Sequence, residues 1–178
     1  MKICLVRHTT PRIAKGICYG QSDIPLADTY PEEYAQIRQQ LSAHFPVDAV
    51  YASPLSRCFT LAKDLFGEAV VVDDRLQELN FGDWEMKAWN AIPQKALNHW
   101  MNDFVNVRCP SGESYQDLSE RALNFYNFLQ RQHRPEEKII LVTHAGFIRA
   151  FKALLDGIPL VETFDQIEVP YGSIVKCV

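Results

Sequence analysis

Short apolar runs alternate with longer stretches of helical periodicity along most of this chain, and that alternation constrains the fold more than any other feature. "KICLVR" (2–7), "DAVYAS" (48–53), "AVVVD" (69–73), "KIILVT" (138–143) and "SIVKCV" (173–178) read as strands. They are nearly continuous in apolar residues rather than alternating, as strands covered on both faces are. Between them, "PEEYAQIRQQLSAHF" (31–45) places Tyr34, Ile37, Leu41 and Phe45 at three- and four-residue steps, which predicts an amphipathic helix. "SPLSRCFTLAKDLF" (53–66) predicts another, with Ser53 as N-cap and Pro54 at its first position. Residues 88–104 carry a helical pattern interrupted by Pro93. "SYQDLSERALNFYNFLQRQ" (114–132) opens on Ser114 and Asp117, spaced as a capping box, and "GFIRAFKALLDG" (146–157) has Gly157 to end it. A strand–helix alternation of this kind predicts an α/β protein of three layers, αβα, with a mainly parallel central sheet.

At 178 residues the expectation is a single domain over 1–178, since no repeat, linker or low-complexity segment divides it. The formal net charge of −4 gives no global field for nucleic acid or an acidic membrane, so an anionic ligand has to be met by local positive charge. Five scattered cysteines without C-x-x-C spacing argue against a disulfide framework or a zinc site. The run "ICLV" near the N-terminus is too short for a signal peptide or a membrane span, and a cytoplasmic location without membrane or nucleic-acid partners is expected.

In an open α/β sheet, ligands sit beyond the carboxyl ends of the strands. Strand 2–7 delivers Arg7, His8 and Thr9 there; strand 48–53 leads into a helix bearing Arg57; strand 138–143 delivers His144, then Ala145 and Gly146 at a helix N-terminus. Each alone is ordinary. Together they gather positive charge and free N–H groups, which suits a multiply charged anion, and phosphate matches arginine forks bidentately. "LQELNFGDWEMKAW" (76–89) adds Glu78, Asp83 and Glu85, of which one can protonate the leaving oxygen of a monoester.

The stretches "LVRHTTP", "SPLSRC", "LQELNFGDWE" and "VTHAG", in that order, resemble the signature stretches of the histidine phosphatase (phosphoglycerate mutase-like) superfamily. The resemblance implies that His8 is a nucleophile forming a phosphohistidine, that Arg7, Arg57 and His144 hold the phosphate, and that Glu78 is the acid. It implies no metal and no cofactor. "GICYGQSDIPL" (16–26) and "FGDWEM" (81–86) look most like the α-ribazole phosphatases of cobalamin biosynthesis, which implies α-ribazole 5′-phosphate as substrate. Family members often carry Gly-Glu where this chain has Thr9 and Thr10, and an asparagine at the position of Ala14, whose phosphate contact Gln21 or Ser22 is expected to replace. Thr9, Tyr19, Gln21, Ser22, Trp84 and Ala145 are the expected substrate contacts.

Two enzymatic alternatives share this chemistry, a phosphoglycerate mutase and a broad-specificity sugar-phosphate phosphatase; the chain is short beside the mutases. A non-catalytic phosphate-binding module would need the arginines but neither His8 nor Glu78. A small phosphate ester is the expected partner, in a monomer or a homodimer. Activity should be bell-shaped in pH, with His8 neutral and Glu78 protonated.

Overall fold

In a computed structural model, residues 1–177 form one five-stranded sheet flanked by helices. The strands are β1 (Lys2–Arg7), β2 (Ala49–Ala52), β3 (Val70–Val72), β4 (Lys138–Thr143) and β5 (Ile174–Cys177), in spatial order β3-β2-β4-β1-β5. All neighbours run parallel except β5, which lies antiparallel to β1. The helices are α1 (Tyr30–Leu41), α2 (Ser56–Phe66), α3 (Gln94–Asn102), α4 (Tyr115–Gln132), α5 (Ala145–Asp156) and α6 (Thr163–Gln166).

The continuous apolar strands are explained by two cores, one on each face. Ile3 and Leu5 of β1, Tyr51 of β2 and Ile139 and Leu141 of β4 point into a core built with α4 and α5. Their alternating neighbours Cys4, Val6, Val50, Ala52, Ile140 and Val142 point into the other, with Ile37 and Leu41 of α1 and Leu61 of α2. With a side-chain period of two, a strand buried on both sides cannot afford a polar position. A smaller cluster of Cys18, Trp84, Ile92 and Cys109 lies under the connecting loops.

The α4 capping box forms as read, with Ser114 Oγ accepting from Asp117 N and the Asp117 carboxylate accepting from Ser114 N. Gly157 closes α5 in the left-handed region at φ 70°. Three expectations need correction. The segment 88–104 is not one helix: Pro93 splits it into a short 3-10 turn (Trp89–Ala91) and α3. The helix after β2 begins at Ser56, not Ser53, and Leu55 is its N-cap. The last strand is read to Cys177, and residue 178 lies outside the described residues.

The connection from β1 leads to α1 on one face, and that from β4 leads to α5 on the other. Adjacent strands that send their connections to opposite faces open a crevice at their carboxyl ends. No helix among the described residues is long and apolar enough to cross a membrane.

Candidate active site

Strand register assembles the site. Arg7 pairs with Thr143 across β1 and β4, so His8 and His144, one residue beyond each, emerge side by side. The His8 backbone N–H donates to Thr143 O at 3.0 Å, and the two imidazole centroids lie 5.1 Å apart, edge to face. Ala52 pairs with Val142, which brings Ser53 level with the same strand end; its N–H donates to Val142 O at 3.0 Å.

His8 is 2% exposed, and its Nδ1 lies 2.7 Å from Thr9 O. A carbonyl only accepts, so Nδ1 carries the proton and Nε2 keeps its lone pair, as a nucleophile requires. His144 Nε2 bonds Ser53 Oγ at 2.8 Å, with Cys58 Sγ 3.4 Å from the same nitrogen. Ser53 is thus not the helix cap expected from sequence; it orients His144. Burial, then the Arg57 charge, holds both imidazoles well below the usual histidine range. The Thr9 carbonyl partly opposes this at His8, and Arg7 adds to it at both.

A stability prediction follows from these two groups. An unfolded histidine takes up its proton near pH 6.5, whereas the folded pair resists protonation. The stabilisation is therefore complete above that pH and is lost as pH falls towards the folded values. For two such groups the loss is about 2 kcal/mol between pH 6.5 and 5.5. Urea unfolding of wild type and His144→Gln across this range measures it: the variant should lose about half of the dependence, and equal slopes would contradict the assignment.

Arg57, in the first turns of α2, is fully buried; Nη1 donates to Ser22 O at 2.8 Å and Nη2 to Gly20 O at 2.5 Å. Arg7 donates to Val169 O, and its guanidinium lies 3.8 Å from the Tyr171 ring centroid. Both arginines are oriented by neutral carbonyls, and among the described residues neither forms a salt bridge. Arg7 Nε, Arg57 Nε and Thr9 Oγ1 are buried without a protein partner. Unspent donors and uncompensated charge in one place fit a ligand with several anionic oxygens.

Glu78 reaches this site from the loop after Leu76. Arg121 of α4 pins that loop, donating to the carbonyls of Arg75 (2.8 Å), Gln77 (3.0 Å) and Glu78 (3.2 Å) while its Nε and Nη2 bond the Glu113 carboxylate. The Glu78 carboxylate accepts from Leu79 N at 3.0 Å and from Gly146 N, in the first turn of α5, at 3.1 Å. A side chain on Gly146 would meet the Glu78 carboxylate where it now lies.

Arg7, His8, Tyr19, Glu78 and Ala145 line a cavity of about 200 Å³, together with Phe81, Arg149 and Phe164. Tyr19 and Ala145 therefore stand where the sequence placed them. Tyr171 OH closes one side through a 2.6 Å bond to Tyr19 OH. Four expected contacts do not line it, among them Thr9, whose buried hydroxyl has no partner. Trp84 is 4% exposed, packed among Cys18, Ile92, Cys109 and Trp100, and has no free face for stacking on a substrate. The Ser22 hydroxyl is spent on Glu85, and Gln21 Nε2 donates to Glu78 O at 3.0 Å. Glu85 anchors the 20–22 loop: burial would raise its pKa, but bonds from Ser22, Gln21 N and Phe81 N overcome that and hold it below the usual carboxylate range. Ser53, Arg149 and Tyr171 are the residues that sequence alone did not single out.

The profile of the histidine phosphatase superfamily (branch 1) matches residues 3–178. The chain belongs to that superfamily. An adenosylcobalamin/alpha-ribazole phosphatase of Escherichia coli is 30% identical over 167 residues, 89% of this chain and 81% of that one. Phosphoserine phosphatase 1 of Hydrogenobacter thermophilus is 26% identical over 168 residues, 90% of this chain and 78% of that one. Among solved structures, the alpha-ribazole phosphatase of Shigella flexneri superposes with a TM-score of 0.87 at 27% identity, covering 99% of this chain and 89% of that one. The mostly parallel sheet flanked by helices is thus the phosphoglycerate mutase-like fold of a histidine phosphatase.

Proposed function

We propose that this histidine phosphatase hydrolyses phosphate monoesters through a phosphohistidine on His8, without a metal. The observation that carries the reading is the His8 imidazole: buried, kept neutral, its Nδ1 proton committed to Thr9 O, and set beside two arginines that no carboxylate among the described residues neutralises. His8 Nε2 attacks phosphorus, and the bond from phosphorus to the ester oxygen breaks. Arg7, Arg57 and the neutral His144 stabilise the transferring oxygens. Glu78 gives its proton to the departing alkoxide; its carboxylate then takes a proton from water, which attacks the phosphohistidine and releases phosphate.

Two ester classes fit this chemistry. Likeness to alpha-ribazole phosphatases in sequence and in structure supports α-ribazole 5′-phosphate, the substrate that the sequence motifs imply. Arg149 in the cavity wall favours an ester that carries a second acid group. Phosphate release from p-nitrophenyl phosphate, α-ribazole 5′-phosphate and 3-phosphoglycerate in chelator tests the shared chemistry. Hydrolysis of at least one ester is expected, and it should be lost in His8→Ala. Dependence on added metal, or activity without His8, would overturn the reading.

A further inference from the structure

Arg149 stands one turn into α5 and is half-buried in the wall of the cavity that His8 and Glu78 share. Its Nε donates to Ile167 O at 3.0 Å, and its guanidinium lies 4.8 Å from the Phe164 ring centroid. No acceptor among the described residues meets its two terminal nitrogens, and no carboxylate forms a salt bridge with it. Those terminal nitrogens are not sealed from solvent, so the fork is free to meet a ligand in the cavity. Here burial, aided by Arg7, holds the guanidinium below its ordinary range, while Tyr115 and Glu78 oppose the shift only in part.

Arg7, Arg57 and Arg149 bring three positive charges to the site, and both histidines are neutral. A phosphate monoester dianion balances two of them. The third, Arg149, stands on the cavity wall with Glu78, the acid proposed for the leaving group. We infer that Arg149 is a specificity-determining residue for an ester whose leaving group carries a carboxylate. The inference rests on the phosphohistidine reading and selects between its two ester classes.

The test is a selectivity ratio: kcat/KM for 3-phosphoglycerate over that for glycerol 3-phosphate, which offers a hydroxymethyl group where the acid stands. Both are measured on one preparation, so that the fraction of folded enzyme cancels. Loss of a charge-assisted hydrogen bond is worth roughly ten- to a hundredfold. Wild type is expected to favour the acid by that factor, Arg149→Gln to bring the ratio close to one, and Arg149→Lys to retain part of it. A wild-type ratio near one, or a ratio unmoved by Arg149→Gln, would overturn the inference. So would an Arg149→Gln loss shared equally by both esters with a displaced alkaline limb, which would make Arg149 a partner of Glu78 instead. If p-nitrophenyl phosphate is hydrolysed in a His8-dependent way while the ratio stays flat, only the carboxylate subsite fails. If wild type hydrolyses none of these three but releases phosphate from α-ribazole 5′-phosphate, the subsite fails alone; if it leaves that ester intact as well, the phosphatase reading fails and the subsite with it.

Discussion

His8→Ala should lower phosphate release from any ester by at least about a thousandfold, because removal of a nucleophile abolishes the covalent route and leaves only binding and electrostatic stabilisation. The loss should lie in kcat, with KM changed far less, since Arg7, Arg57 and His144 remain to hold the phosphate. The fold should tolerate the change. His8 contributes one side-chain hydrogen bond, to its own neighbour Thr9, and its backbone keeps the bonds from His8 N to Thr143 O and from Gly172 N to His8 O. Steady-state kinetics together with a thermal melt separate the two effects. A variant with a raised KM and an intact kcat would make His8 a binding residue and remove the chemistry from the account.

The second large effect is expected at Arg57, and here function and stability should part company. Arg57→Met removes a buried guanidinium whose Nε is unspent, and transition-state stabilisation of this kind is worth about a hundred- to a thousandfold in kcat per donor group. It also removes a fully buried charge with no carboxylate partner, whose burial is costly. Against that relief stands the orphaning of the Gly20 and Ser22 carbonyls, at about 1–3 kcal/mol each. The two contributions have opposite signs and similar size. The apo variant should therefore melt within a few degrees of wild type, while the rise in melting temperature that added phosphate gives wild type should vanish. A large destabilisation with phosphate still raising the melt would show that Arg57 serves the loop and not the ligand.

Much of this was legible in the sequence because it is local. A strand buried on both faces is written as a continuous apolar run, so the polar residues that end it, Arg7-His8 and Thr143-His144, announce the sheet's carboxyl edge. The resemblance of those motifs to a known superfamily supplied the roles. What stayed hidden is non-local. Nothing in "SPLSR" tells a helix cap from a residue oriented by a histidine 91 positions away, and only the β2–β4 register decides it. Arg149 reads as a solvent-facing position of an amphipathic helix until α6 brings Phe164 over it. Tyr171 joins the site through a turn that bonds His8 O from Gly172 N. Trp84, between Asp83 and Glu85, reads as a stacking surface, yet it packs among Cys18, Ile92, Cys109 and Trp100 under the connecting loops.

The phosphohistidine itself is the central claim, and rapid-quench trapping tests it most directly. Wild-type enzyme is mixed with radiolabelled p-nitrophenyl phosphate, stopped in alkali within a turnover, and digested. The account predicts a label that survives alkali, is released by acid, and maps to the peptide containing His8. No trapped label at any quench time, an acid-stable label, or one on the peptide containing His144 would contradict it.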